Sequence, residues 1–121
     1  MRVLLADDDP HVHSALRLLL EDEPGIALVA SCATADGLLE QVISSRSDVA
    51  LVDWDLPGLK DSQSVLLLRS QTCQVVALSG RPEERDEALR DGAGYFVCKG
   101  DTPHSLLLVL RALRLSGHCS E

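Results

Sequence analysis

Ala50-Leu51-Val52-Asp53-Trp54-Asp55-Leu56-Pro57-Gly58 passes from an apolar run, through a carboxylate, into a turn. A short apolar run closed by turn residues is the pattern of a buried strand. That strand is expected over residues 49–52, with Asp53 at its carboxyl end, where open α/β sheets place their sites. An aspartate at a strand end is more often a cap or a turn former. Asp53 therefore gains meaning only from what the rest of the chain brings beside it.

On either side of this stretch the chain alternates. Apolar runs predict strands over 3–6, 26–30, 49–52, 75–79 and 95–98. Between them, apolar residues recur at helical spacing. Pro10 suits the first turn of a helix, which Asp9 is expected to cap. Val12, Ala15, Leu16, Leu19 and Leu20 would form its buried face. A second helix, capped by Thr34 or Asp36, would bury Leu38, Leu39, Val42 and Ile43. A third, over about 61–70, would turn Val65, Leu66 and Leu68 inward. A fourth, over about 83–91, has only Ala88 and Leu89 as an apolar face and should be loosely held. Gly92 is its expected C-cap glycine. A fifth, capped by Asp101 or Thr102 with Pro103 near its first turn, is apolar nearly all round.

Five strand–helix repeats with apolar strands predict an α/β fold with helices on both faces of a parallel sheet. Right-handed crossovers then make it doubly wound, in the flavodoxin-like strand order 2-1-3-4-5. Residues 1–116 are read as one domain, and 117–121 as a tail or the start of a linker.

The composition narrows the function. The 121 residues carry a net charge of −8 and are 45% hydrophobic, with one Trp, one Tyr and one Phe. Aliphatic residues must build the core. The acidic balance argues against binding nucleic acid or an anionic membrane through bulk charge. The cysteines Cys32, Cys73, Cys98 and Cys119 are widely spaced and read as reduced thiols rather than a disulfide framework. The amino-terminal apolar run is cut off by Asp7-Asp8-Asp9, which is not the pattern of a signal peptide. No stretch is long enough to span a bilayer, and a cytoplasmic location is expected.

In a parallel sheet the carboxyl ends of the strands share one edge. That edge would gather Asp7 and Asp8 from strand one, Asp53 from strand three, Ser79 from strand four and Lys99 after strand five. Three carboxylates need a counter-charge to stay ionised together. Mg²⁺ is the hard cation that takes one or two carboxylates and keeps some of its waters. A carboxylate beside it can act as a nucleophile toward phosphorus. Phosphoryl transfer needs its equatorial oxygens neutralised, and Mg²⁺, the Lys99 ammonium and the Ser79 hydroxyl each suit one.

These motifs stand in order: Asp7-Asp8 after the first strand, Asp53 before Trp54-Asp55-Leu56-Pro57-Gly58, Ser79 after Val75-Val76-Ala77-Leu78, and Lys99 after Gly92-Ala93-Gly94-Tyr95-Phe96-Val97-Cys98. On them the chain resembles, over essentially its whole length, the receiver domain of two-component response regulators. The Asp-Asp-x-Pro opening is similar to the NarL/LuxR-type subfamily, whose members usually carry a C-terminal helix-turn-helix. The resemblance implies a phosphorylatable signalling switch. Asp53 would accept a phosphoryl group from a sensor histidine kinase. Asp8 would bind Mg²⁺ directly, Asp7 partly through water, and Asp55 through its backbone carbonyl, leaving its side chain free to affect phosphate lifetime. Ser79 would follow the phosphoryl group, and Phe96 matches the switch aromatic, without the hydroxyl of the family's frequent Tyr. Catalysis would be limited to the chain's own aspartyl phosphorylation and dephosphorylation. The output would be transcription, through a DNA-binding domain outside this sequence. Gly100 replaces a frequent Pro after the lysine, so a cis peptide is not expected there.

Two other readings compete. Asp53-Trp54-Asp55 resembles the Asp-x-Asp pair of haloacid-dehalogenase-type phosphatases, but that pair follows the first strand and works under a cap. A receiver fold used as a phosphorylation-independent interaction module is the second. The apolar girth of helix five predicts an interface, for a homodimer or an output module. His11 and His13, two apart, do not share a helix face and are expected to be exposed. His104 and His118 carry no signal. Trp54 is expected either to gate the pocket or to lie on the loop surface.

Overall fold

A computed structural model describes residues 1–60, 64–100 and 103–116. Its strands are β1 (Arg2–Ala6), β2 (Ala27–Cys32), β3 (Val49–Asp53), β4 (Gln74–Ser79) and β5 (Tyr95–Cys98). Its helices, among the described residues, are α1 (Pro10–Glu21), α2 (Leu38–Ser45), α3 (Ser64–Ser70), α4 (Arg85–Arg90) and α5 (Pro103–Leu115), with a 3-10 turn over Pro82–Glu84 before α4. The sheet order is β2-β1-β3-β4-β5, all parallel. This is the doubly wound, flavodoxin-like arrangement that the alternating pattern predicts. The expected caps Asp101 and Thr102, the start of the third helix, and His118, Cys119 and the rest of the 117–121 tail lie outside the described residues.

Side chains alternate across the sheet, and each set meets its own helices. Leu4, Ala6, Ala50, Val52, Val75 and Ala77 pack with Leu38, Val42, Val65, Leu68 and Ala88 of α2, α3 and α4. Val3, Leu5, Val49, Leu51, Val76 and Leu78 pack with Leu16, Leu20, Leu106, Leu110 and Leu113 of α1 and α5. The central strands β1, β3 and β4 are therefore almost wholly buried, whereas the edge strand β2 is half open.

Some expectations on the helices need correction. Ile43 and Leu66 are 53% and 60% exposed. Successive helical residues step about 100° round the axis. The stripe through Leu38 and Val42 leaves Ile43 off to one side, and Leu66 is similarly displaced from Val65 and Leu68. Helix α2 has no side-chain cap from Thr34 or Asp36; Gly37, at φ 76°, begins it in the left-handed region that glycine tolerates. Asp9 caps α1 as expected, accepting from the His11 amide at 2.9 Å. In α4 Ala88 is buried and Leu89 is not, so the helix is held by even less apolar contact than expected. Gly92 takes φ 117° just beyond α4, and the Ala93 amide bonds back to the Ala88 carbonyl. Trp54 does not lie on the loop surface. It is 2% exposed in the core beneath α4, where its indole N–H donates to Glu87 Oε1 at 3.4 Å.

Cys32, Cys73 and Cys98 are free thiols. No peptide bond is cis among the described residues, in keeping with Gly100. No helix, among the described residues, is long and apolar enough to cross a membrane. On α5, Leu106, Leu110 and Leu113 face inward, while Leu108 and Leu115 remain 52% and 76% exposed.

Candidate functional site

Strand register builds the site. Ala6 pairs with Val52, Asp53 with Leu78, and Ser79 with Cys98. The residues that end or follow β1, β3, β4 and β5 therefore meet at one edge. Carboxylate oxygens of Asp7, Asp8 and Asp53 all lie within 4.8 Å of one another. Asp7 is fully buried, Asp53 is 4% exposed, and Asp8 is open to solvent.

Each carboxylate is oriented by the local backbone. Asp7 Oδ1 accepts from the Asp9 amide at 2.9 Å. Its buried Oδ2 has no hydrogen-bond donor aligned on it and is ion-paired with Lys99 Nζ at 2.9 Å. Asp53 Oδ1 accepts from the Asp55 amide at 3.1 Å and lies 3.2 Å from Lys99 Nζ. Asp53 Oδ2 accepts no hydrogen bond among the described residues. Lys99 is itself positioned by its amide, which donates to the Ser79 carbonyl at 2.6 Å.

Burial pushes the Asp53 carboxyl above its ordinary pKa, and the Asp7 charge adds to this. The Asp55 amide and Lys99 oppose the rise without cancelling it. For Lys99, burial alone would lower the ammonium's pKa. Its close contact with Asp7 and the charges of Asp53 and Asp7 outweigh that and hold it above its usual value. These are the features of an acidic site short of positive charge. A hard divalent cation fits it: oxygen donors only, three carboxylates close together, and a buried carboxylate oxygen without an aligned donor.

Ser79 is fully buried. Its hydroxyl donates to Glu84 Oε1 at 2.5 Å, with the Arg81 carbonyl a second, longer acceptor at 3.2 Å, and it accepts from the Arg81 amide at 3.0 Å. Phe96 is half-buried against the core on the α4 side of the sheet. The Asp55 side chain is not free: its Oδ1 is 2.8 Å from Arg81 Nη2. His11 is exposed as expected, but His13 is half-buried and its Nε2–H donates to the Asp7 carbonyl.

Two residues at this edge escaped the sequence reading. His13 looked like a helix-surface residue, and nothing in its spacing pointed back to Asp7. Glu84 sits within a charged run and is nevertheless 7% exposed. The available signal was its place on the first turn after the strand, five residues beyond Ser79.

Residues 3–111 match the response regulator receiver domain family. The chain is 27% identical over 112 residues to the nitrate/nitrite response regulator protein NarL of Escherichia coli K12, covering 89% of this chain and 52% of NarL. It is 30% identical over 116 residues to protein-glutamate methylesterase/protein-glutamine glutaminase 1 of Myxococcus xanthus, covering 93% of this chain and 33% of that protein. It thus spans about half or less of the length of these relatives. Among solved structures, the signal receiver domain of the response regulator NarL from Mycobacterium tuberculosis superposes with a TM-score of 0.82 at 25% identity, covering 93% of this chain and 94% of that one.

Proposed function

This chain belongs to the response regulator receiver domain family, and on that premise we propose that it is a phosphorylatable switch with Asp53 as the acceptor. The observation that carries this is the half-partnered Asp53 carboxylate. One oxygen is held by the Asp55 amide and Lys99, while the other accepts nothing among the described residues and is available as the nucleophile.

The step proposed is attack of Asp53 Oδ2 on the phosphorus of a kinase phosphohistidine. The O–P bond forms, the N–P bond breaks, and the imidazole leaves. Asp8, Asp7, Asp53 and the Asp55 carbonyl would hold Mg²⁺, which when bound supplies charge neutralisation at the transferring group. Lys99 neutralises one phosphoryl oxygen. The Ser79 hydroxyl donates to another, which draws the β4–α4 loop inward. Attack of water on phosphorus returns Asp53 and inorganic phosphate. A loosely packed α4, with Ala88 as its buried residue, suits a surface that rearranges with Phe96 and β5.

The output is proposed to be transcription, through a DNA-binding domain outside this sequence, with α5 as the contact for that module or for a second copy. Leu108 and Leu115 supply the exposed apolar surface. Light scattering that finds a monomer at high concentration, phosphorylated or not, would refute the homodimer. The family match over residues 3–111 leaves the haloacid-dehalogenase-type reading without support.

Intact mass after incubation with Mg²⁺ and acetyl phosphate tests the switch. One phosphoryl group on the wild type and none on Asp53→Asn is expected. No adduct on either, with beryllofluoride also failing to bind, would leave a phosphorylation-independent interaction module.

A further inference from the structure

Glu84 is a buried carboxylate to which the phosphoryl step gives no role. Its Oε1 receives the Ser79 hydroxyl at 2.5 Å. Its Oε2 lies 2.6 Å from Arg81 Nη2 and 3.4 Å from Lys60 Nζ. The same Arg81 nitrogen reaches Asp55 Oδ1 at 2.8 Å, and Lys60 lies 3.7 Å from Glu87, which holds the Trp54 indole. The network therefore ties Ser79 and the two residues that follow Asp53 to the Pro82–Glu84 turn and the first turn of α4.

A serine hydroxyl has one proton. While it is donated to Glu84 it cannot be donated to a phosphoryl oxygen on Asp53. We propose that Glu84 is a positioning residue that holds the Ser79 hydroxyl away from Asp53 in the unphosphorylated protein, so that phosphoryl retention requires Ser79 to leave it. The inference rests on Asp53 being the phosphoacceptor. Departure of Ser79 leaves Glu84 with Arg81 and Lys60 as partners. The Pro82–Glu84 turn then loses the Ser79–Glu84 bond to β4, and the Arg81–Asp55 and Lys60–Glu84 pairs remain to hold it. A hydrogen bond to an ionised acceptor is about twice as strong as a neutral one, so the carboxylate is a firm holder.

The test is beryllofluoride affinity in saturating Mg²⁺, read by fluorine NMR, for wild type, Glu84→Gln, Ser79→Ala and the double variant. Glutamine keeps the shape of the side chain and weakens its acceptor. Glu84→Gln is expected to bind the mimic about five- to tenfold more tightly than wild type. In the Ser79→Ala background the same substitution should change affinity by less than about twofold, because no hydroxyl remains to be held. Loss of a negative charge near an anion site would tighten binding equally in both backgrounds, and that result would overturn the proposal. So would no change in either. Should Glu84→Gln fail to fold, Glu84→Asp, which withdraws the carboxylate by one methylene, carries the same cycle. A wild type that binds no beryllofluoride would overturn the Asp53 reading, and this inference with it.

Discussion

Lys99 Nζ stands 2.9 Å from Asp7 Oδ2, a buried oxygen on which no hydrogen-bond donor is aligned. The ammonium supplies the positive charge that a divalent cation would otherwise bring, so the two compete for Asp7. Lys99→Ala should therefore bind Mg²⁺ several-fold more tightly, read by tryptophan emission or calorimetry. It should also take up phosphoryl from acetyl phosphate about a hundredfold more slowly, the usual effect of removing one preorganised donor. Weaker Mg²⁺ binding in the variant would contradict this account.

Asp53 sets a pH dependence whose sign follows from its raised carboxyl pKa. The unfolded chain carries an ordinary aspartate near about 3.9. Between that value and the higher folded one, the native state binds more protons than the unfolded state. Stability from this group is thus fully present below about pH 3.9 and lost as pH rises through the folded value. Asp53→Asn removes the penalty. Without metal at pH 7, its thermal midpoint should exceed that of wild type by about 3–6 °C, and the gap should close toward acid pH. Added Mg²⁺ should raise the wild type more than the variant.

Cys73 lies beside β4 at 2% exposure, and burial pushes its thiol up to about 12, with the Asp48 charge adding to the rise. The thiolate is the reactive form. Cys73 should remain unmodified by iodoacetamide at pH 8 in the native protein and react fully in urea. Peptide mass mapping distinguishes this from labelling at the half-buried Cys32 and Cys98.

Helix α5 has two faces with opposite expectations. Leu110 is fully buried, and Leu110→Ala should lower unfolding free energy by about 2–5 kcal/mol in urea titrations. Leu108 is 52% exposed, and Leu108→Ala should stay within about 0.5 kcal/mol of wild type. A large loss at Leu108 under dilute conditions would mean that this face is covered within the folded monomer.

Much was legible in the sequence because it is periodic or local. Apolar runs separated by helical stripes specify parallel strands with helices on both faces, and chain order then places Asp7, Asp8, Asp53, Ser79 and Lys99 at one edge. Asp9 as a cap and Gly92 beyond α4 are decided within one helical turn, so they too could be read directly. The tertiary structure decided what depends on which side a neighbour occupies. Ile43 and Leu66 are as apolar as their buried neighbours, and a rotation of about 100° per residue puts them outside. Trp54 adjoins a loop, and packing between elements distant in the chain buries it. Asp55, His13 and Glu84 acquire their partners Arg81, Asp7 and Ser79 through side-chain reach across a turn or between elements. Such contacts depend on rotamer and distance, and a linear sequence carries neither.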